Sequence, residues 1–411
     1  MRILRPFVLV LALTATAPAA DLPKFRAVEL DPNVGQVCYA VTTADVDGDG
    51  KRDVVALTED SVIYYAAPGW SKHVILKGQT KKDNVCIQPH DVDGDGRVDF
   101  AVGADWHPGN TESGGTLQIL TRTGAPEGTW RIVPLAEEPT IHRLRWGTLN
   151  RGGPTRLVVA PLQGRGTKGP DWGKGQGVRI LVYTKPDRPF DAPWPVEVAD
   201  DTLHTIHNLQ INDFDDNGDD DVVVASWEGI FILRRDNEGR WSKEHIGSGN
   251  QEPGPSKGAG EVKVGKLADG RKYIATIEPW HGSQVVVYTQ PPKGRIQAQW
   301  ERQVIDEPLT WGHAVWCADL DGDGNDELVI GQRDPSKSPD RTPKGPGILV
   351  YDPEPRSAPL AFKRHVLEDG GVAVEDLLAD DLDGDGKPEI IAGGRATHNV
   401  RIYMNLGSAG R

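Results

Sequence analysis

The stretch ADVDGDGKRDVVALTED, Ala44–Asp60, decides how this chain is read. It returns as HDVDGDGRVDFAVGAD from His90, NDFDDNGDDDVVVASW from Asn212, ADLDGDGNDELVIGQR from Ala318 and ADDLDGDGKPEIIAGG from Ala379. Each copy sets acidic residues at alternate positions, D-x-D-x-D-G-x-x-[DE] with Asn217 replacing the third Asp in one copy, and then runs straight into an apolar stretch. A loop spelled five times points to a repeat architecture, because a catalytic site is normally single.

Reading outward, each loop is followed by one apolar run (DVVALT, DVVVAS), then a second (VIYYA, GILVYD). A third begins with an aromatic and a basic residue: WSKHVIL at Trp70, TWRIVPL at Thr129, WSKEHI at Trp241, FKRHVL at Phe362. Another short apolar run precedes each loop. Four short strands per unit, parted by turn residues and repeating at blade length, predict an all-β, seven-bladed β-propeller. Inner strands are expected to begin near Cys38, Cys86, His142, His207, Glu261, His313 and Val374. Two of these blades lack the acidic loop but keep the strand pattern. The outer-strand motif FRAVEL at Phe25 has no blade of its own; its expected place is the outer edge of the seventh, closing the ring. No sustained 3.6-residue period supports helices.

The acidic loops offer hard oxygen ligands around a tight turn, the chemistry of calcium. The expected ligands are Asp45, Asp47, Asp49 and Asp53; Asp91, Asp93, Asp95 and Asp99; Asp213, Asp215, Asn217 and Asp221; Asp319, Asp321, Asp323 and Glu327; and Asp381, Asp383, Asp385 and Glu389. Their repetition assigns them a structural role. The spacing resembles that of FG-GAP or VCBS calcium-binding propeller repeats, a likeness that speaks to architecture and not to activity.

Over its 411 residues the chain has a formal net charge of −14, which argues against nucleic acid as a partner. Arg2 and Arg5, the apolar run Phe7–Ala17 and the small residues Ala17-Pro18-Ala19 read as a signal peptide over residues 1–20. What remains, 21–411, is one domain expected in the periplasm or outside the cell, with no membrane span. The three cysteines, Cys38, Cys86 and Cys317, leave a Cys38–Cys86 disulfide open, buried thiols being the preferred reading.

Aligning inner strands on the first loop Asp exposes where the repeats disagree. Four residues before it stand Val41, Ile87, Leu144, Leu209, Val262, Val315 and Leu377, all apolar. Six before it stand Tyr39, Val85, His142, His207, Gly260, His313 and Glu375. Three histidines and a glutamate in one ring, on the face opposite the acidic loops, suit a zinc-type metal and proton transfer. Loops on that face add Trp106, His107, Trp227, Glu228, Glu278, Trp280, His281, Arg333 and Arg395, the composition of a sugar-binding site.

The runs HTIHNLQINDFDDNGDDDVVVASWEGI from His204, IATIEPWHGSQVVVY from Ile274 and WGHAVWCADLDGDGNDELVIGQRDP from Trp311 resemble the propeller domain of aldos-2-ulose dehydratases. The resemblance implies elimination of water from a keto-sugar, with a divalent metal in the propeller. Unlike the fungal enzymes, this chain ends after the propeller, so only the elimination half is expected. On this reading His207, His313 and Glu375 hold the metal, His142 is the base and Arg143 clamps the enolate or a hydroxyl, with roles open to permutation within the set. Two other readings stay open: a non-catalytic, calcium-stabilised propeller binding carbohydrate or protein, and a polysaccharide lyase of the rhamnogalacturonan type.

Overall fold

The computed structural model describes residues 22–122, 128–291, 299–337 and 343–408; the leader read over residues 1–20 lies outside them. Twenty-eight strands, β1–β28 in chain order, form seven antiparallel four-stranded sheets, and no helix occurs among the described residues. The first blade is β2 (Cys38–Ala44), β3 (Asp53–Thr58), β4 (Ser61–Ala66) and β5 (Ser71–Lys77), paired in that order. The other inner strands are β6 (Cys86–His90), β10 (Ile141–Gly147), β14 (Asn208–Asn212), β18 (Glu261–Lys266), β22 (Gly312–Ala318) and β26 (Val374–Asp380). Each starts within one residue of its expected place.

The seventh sheet runs β26, β27 (Glu389–Gly394), β28 (Val400–Asn405) and then β1 (Phe25–Asp31), so its outer strand comes from the opposite end of the chain. Phe25 pairs with Asn405 and Glu29 with Arg401, and the Lys24 amide donates to Gly407 O at 3.2 Å.

Second strands such as β3 and β27 are buried at every residue. Each lies in the middle of its sheet with a neighbouring blade against each face, so both sets of alternating side chains are covered. That is why these segments read as unbroken apolar runs instead of an in-out alternation. The apolar column, Val41 to Leu377, is buried between adjoining blades throughout. Each such side chain contributes roughly 1.5–3 kcal/mol by leaving water.

The acidic loops are built by local hydrogen bonds. Asp45 accepts the amides of Gly48 (2.8 Å) and Gly50 (3.0 Å), and Asp53 accepts that of Val46 (2.8 Å). Gly48 and Gly50 both have positive φ, 82° and 85°, which explains the repeated DGDG spelling. In the fourth blade Asp216 takes the first of these left-handed positions at φ 60°. All three cysteines are unpaired thiols, Cys38 and Cys86 buried.

Candidate functional site

One end of the central channel opens into a cavity of about 790 Å³. Tyr39, Val85, His142, His207, His313 and Glu375 of the ring line it, so six of the seven aligned positions face one space. The seventh is Gly260, and its bareness has a purpose. A Cβ there would lie 3.2 Å from both His281 N and Trp280 Cα. The missing side chain lets the turn between β19 (Lys272–Glu278) and β20 (Gln284–Thr289) fold inward, so that His281 fills the gap in the ring.

His207, His281 and His313 each bring one ligand atom to a common point, all within 4.8 Å of one another. The His207 and His281 Nε2 atoms are 2.9 Å apart. Backbone and carboxylate acceptors fix the tautomers from behind. His207 Nδ1 donates to Glu261 Oε1 (2.7 Å), and His313 Nδ1 donates to Glu375 O (2.6 Å), which leaves both Nε2 lone pairs pointing inward. A carboxylate behind a ligating histidine is the usual support of a metal centre. Burial holds His207 and His281 well below the usual imidazole range and His313 down to about 4, so all three are neutral and ligand-competent at ordinary pH. Glu375 stands beside them: Oε1 accepts from Arg395, while Oε2 lies 3.8 Å from His313 Nε2, buried and without a hydrogen-bond partner among the described residues. This donor set fits a zinc-type ion, with His281 joining the expected His207, His313 and Glu375.

His142 Nδ1 donates to His207 O at 3.0 Å, leaving Nε2 as an acceptor, to which Arg143 Nη1 donates at 3.4 Å. Burial, and then the adjacent guanidinium, hold this imidazole well below its ordinary range. A stack leads from the rim to the cluster. Arg333 lies over Trp311 at 4.4 Å, Trp311 stacks on His281 at 4.9 Å, and His281 stacks on His313 at 4.9 Å. His281 and Trp311 both hold left-handed backbone, φ 54° and 56°, a strain that side-chain packing must sustain.

Of the sugar-site expectations, Trp106, Trp280, His281, Arg333 and Arg395 line the cavity. Trp106 and Trp280 have buried Nε1 atoms without partners among the described residues. His107 turns outward, its Nε2 lying 3.4 Å from Asp105 Oδ1. Glu228 is bound to His204 through both the ring (2.7 Å) and the amide (2.9 Å), and Trp227 packs over Gly173, so neither forms part of the wall. Glu278, expected in the same loop chemistry as Trp280, is fully buried inside its blade, bonded to Thr276, Tyr288 and Arg302. Sequence reasoning missed Trp172, Gln163 and Trp311 in the wall. Trp172 sits in the segment GPDWGKG, where a tryptophan among glycines was the available signal.

On the opposite face, the acidic loops of blades one, two, six and seven each bring three carboxylates within 4.8 Å of one another. Glu327 is the most pointed case: it is 1% exposed, and its Oε1 has no hydrogen-bond partner among the described residues. In blade four the Arg234 guanidinium lies 3.5 Å from Asp221 and 3.8 Å from Asp215, bringing a positive charge to that loop.

With this geometry in view, three comparisons bear on kinship. Residues 114–291 match the family described as aldos-2-ulose dehydratase, beta-propeller domain. Over 235 residues, 53% of the chain, there is 30% identity to aldos-2-ulose dehydratase of Phanerodontia chrysosporium; the match covers 25% of that protein, so the chain corresponds to about a quarter of its relative's length. Among solved structures, BBS1N in complex with ARL6DN shares the fold at a TM-score of 0.54 and 14% identity, covering 96% of this chain and 99% of that one. A lectin of Agrocybe aegerita that recognises non-reducing terminal N-acetylglucosamine does so at 0.51 and 13%, covering 81% of each. At such identities the likeness is one of fold alone. The chain is thus a seven-bladed ring that over residues 114–291 is similar to the aldos-2-ulose dehydratase β-propeller domain.

Proposed function

We propose that the protein is a metal-dependent carbon–oxygen lyase that removes water from a small keto-sugar by β-elimination beside the ketone. The observation that carries this reading is the convergence of His207, His281 and His313, backed by Glu261 and flanked by the unpartnered Glu375 Oε2, at the floor of a cavity sized for one or two sugar rings. A divalent ion held there supplies electrostatic stabilisation for the negative charge that develops on the ketone oxygen. The chain's own groups do the rest. His142 Nε2, the acceptor of a long 3.4 Å hydrogen bond from Arg143, takes the proton from the carbon next to the carbonyl once Arg143 turns to a substrate oxygen. The β-hydroxyl leaves as water on receiving that proton back from the His142 imidazolium, Arg143 and Arg395 steady the oxygens that gain charge or leave, and the tryptophan faces hold the ring. The related protein's name supports a keto-sugar as substrate.

The acidic loops are proposed as structural calcium sites, a role that the buried, unpartnered Glu327 oxygen supports. The test of the enzymatic reading is to purify the chain, measure its transition metal, and follow enone absorbance with 1,5-anhydrofructose and with 3-keto-glycosides. A metal-dependent rise with either is expected. Absence of any rise in metal-loaded protein would return the fold to a carbohydrate- or protein-binding role.

A further inference from the structure

The channel holds a second cavity, of about 360 Å³, nearer the acidic-loop face. Arg143 and Val85 line both spaces, so Arg143 stands at the divide. Three cations meet in the lower one: Arg143, Arg145 and Lys263. Lys263 is only 4% exposed, and its ammonium lies 4.8 Å from the Trp316 ring centroid. It makes no hydrogen bond or ion pair with any described residue. Arg143 donates to His142 O, and Arg145 to Leu144 O and to Asn208 Oδ1 at 3.5 Å, so neither guanidinium meets a carboxylate.

Asp376 and Asp380 line the same cavity, but neither comes within ion-pair distance of Arg143, Arg145 or Lys263. Asp376 accepts the Val41 amide, Asp380 takes the Thr43 hydroxyl with Arg52 at 3.7 Å, and Glu261 serves His207 and Asn208. Buried positive charge without a paired anion is costly. The strain registers on Lys263, which burial and then Arg145 push down to about 7.

We propose that this lower cavity binds a small oxyanion, clasped by Lys263, Arg145 and Arg143. A tetrahedral inorganic anion and the carboxylate of a short organic acid share the required chemistry. Because Arg143 also faces His142, the bound anion would hold Arg143 in place for the upper site. The inference itself does not depend on what that site does.

The test is calorimetric titration of the whole chain with sulfate and, separately, acetate, at constant ionic strength. Saturable binding of at least one is expected in the wild type and in Lys263→Arg, weakened about tenfold or more in Lys263→Met and Arg145→Gln. Tighter sulfate binding marks the inorganic ligand, and tighter acetate binding the organic one. If Lys263→Met does not fold, Arg145→Gln alone carries the comparison. Equal affinity in the wild type and the neutral variants, or no uptake of either anion at millimolar concentration, would overturn the proposal.

Discussion

The Nε2 atoms of His207 and His281 face each other at 2.9 Å, although the Nδ1 proton of His207 is already committed to Glu261. With that tautomer fixed, His207 Nε2 can only accept, from the His281 Nε2–H or from a cation held between the two rings. His281→Ala should therefore lose the transition metal while the propeller stays folded. Glu261→Gln, which keeps the shape but not the charge, should weaken metal affinity about 10–100-fold. Elemental analysis after dialysis against a graded chelator checks both. Retention of metal by His281→Ala would place the ion elsewhere.

His142 touches the cluster through the His207 carbonyl but offers its own Nε2 to the cavity. His142→Gln should lower turnover on the active keto-sugar by roughly 10²–10⁴ with metal content unchanged. If turnover and metal fell together, His142 would be a ligand and not the base.

The acidic loops predict a pH-dependent requirement for calcium. Burial pushes Asp99 and Asp321 up to about 6, Glu389 to about 7 and Glu327 to about 10. These raised values mean that, without a cation, the folded state holds protons that the unfolded chain releases near pH 4. The stability they bring is whole below pH 4 and drains away as pH climbs through 6 and 7 and onward to 10. Calcium, bound as proposed, would replace those protons. The gain in Tm on adding calcium to metal-free protein should therefore be small at pH 5 and larger by several degrees at pH 8, as scanning calorimetry would read. A gain independent of pH would count against calcium in these loops.

Glu278 is wholly enclosed and ties Thr276, Tyr288 and Arg302 together within the fifth blade. Glu278→Ala takes away the acceptor shared by Thr276, the buried Tyr288 hydroxyl and Arg302, which keeps only Gln284, and should cost about 1–3 kcal/mol. Denaturant titration gives the value directly. A loss below 1 kcal/mol would show that the blade relaxes around the change.

The ring was legible in the sequence because its grammar is local. The DGDG turns need Gly48 and Gly50 at positive φ, and the second strands need apolar residues on both faces, so both constraints are written at fixed offsets. The alignment likewise gathered His142, His207 and His313, since equivalent strand positions in a propeller meet at one radius. What alignment could not reveal was His281. It reaches the cluster from a turn in blade five through the room left by Gly260, and a glycine in a column of functional residues looks like an empty place. Glu278 and Glu228 were indistinguishable in composition from cavity residues. Their orientation is set by partners distant in sequence, Arg302 and His204.

The pairing of β1 with β28 has a bearing on how the protein forms. Residues some 370 positions apart must meet before the last sheet exists, the kind of long-range closure that slows folding. As the chain emerges during synthesis, six blades can stack while the first strand waits unpaired, an exposed edge open to mispairing with other nascent chains. The imidazole cluster, drawn from blades four to six, sits among units that can settle before that final zipper shuts.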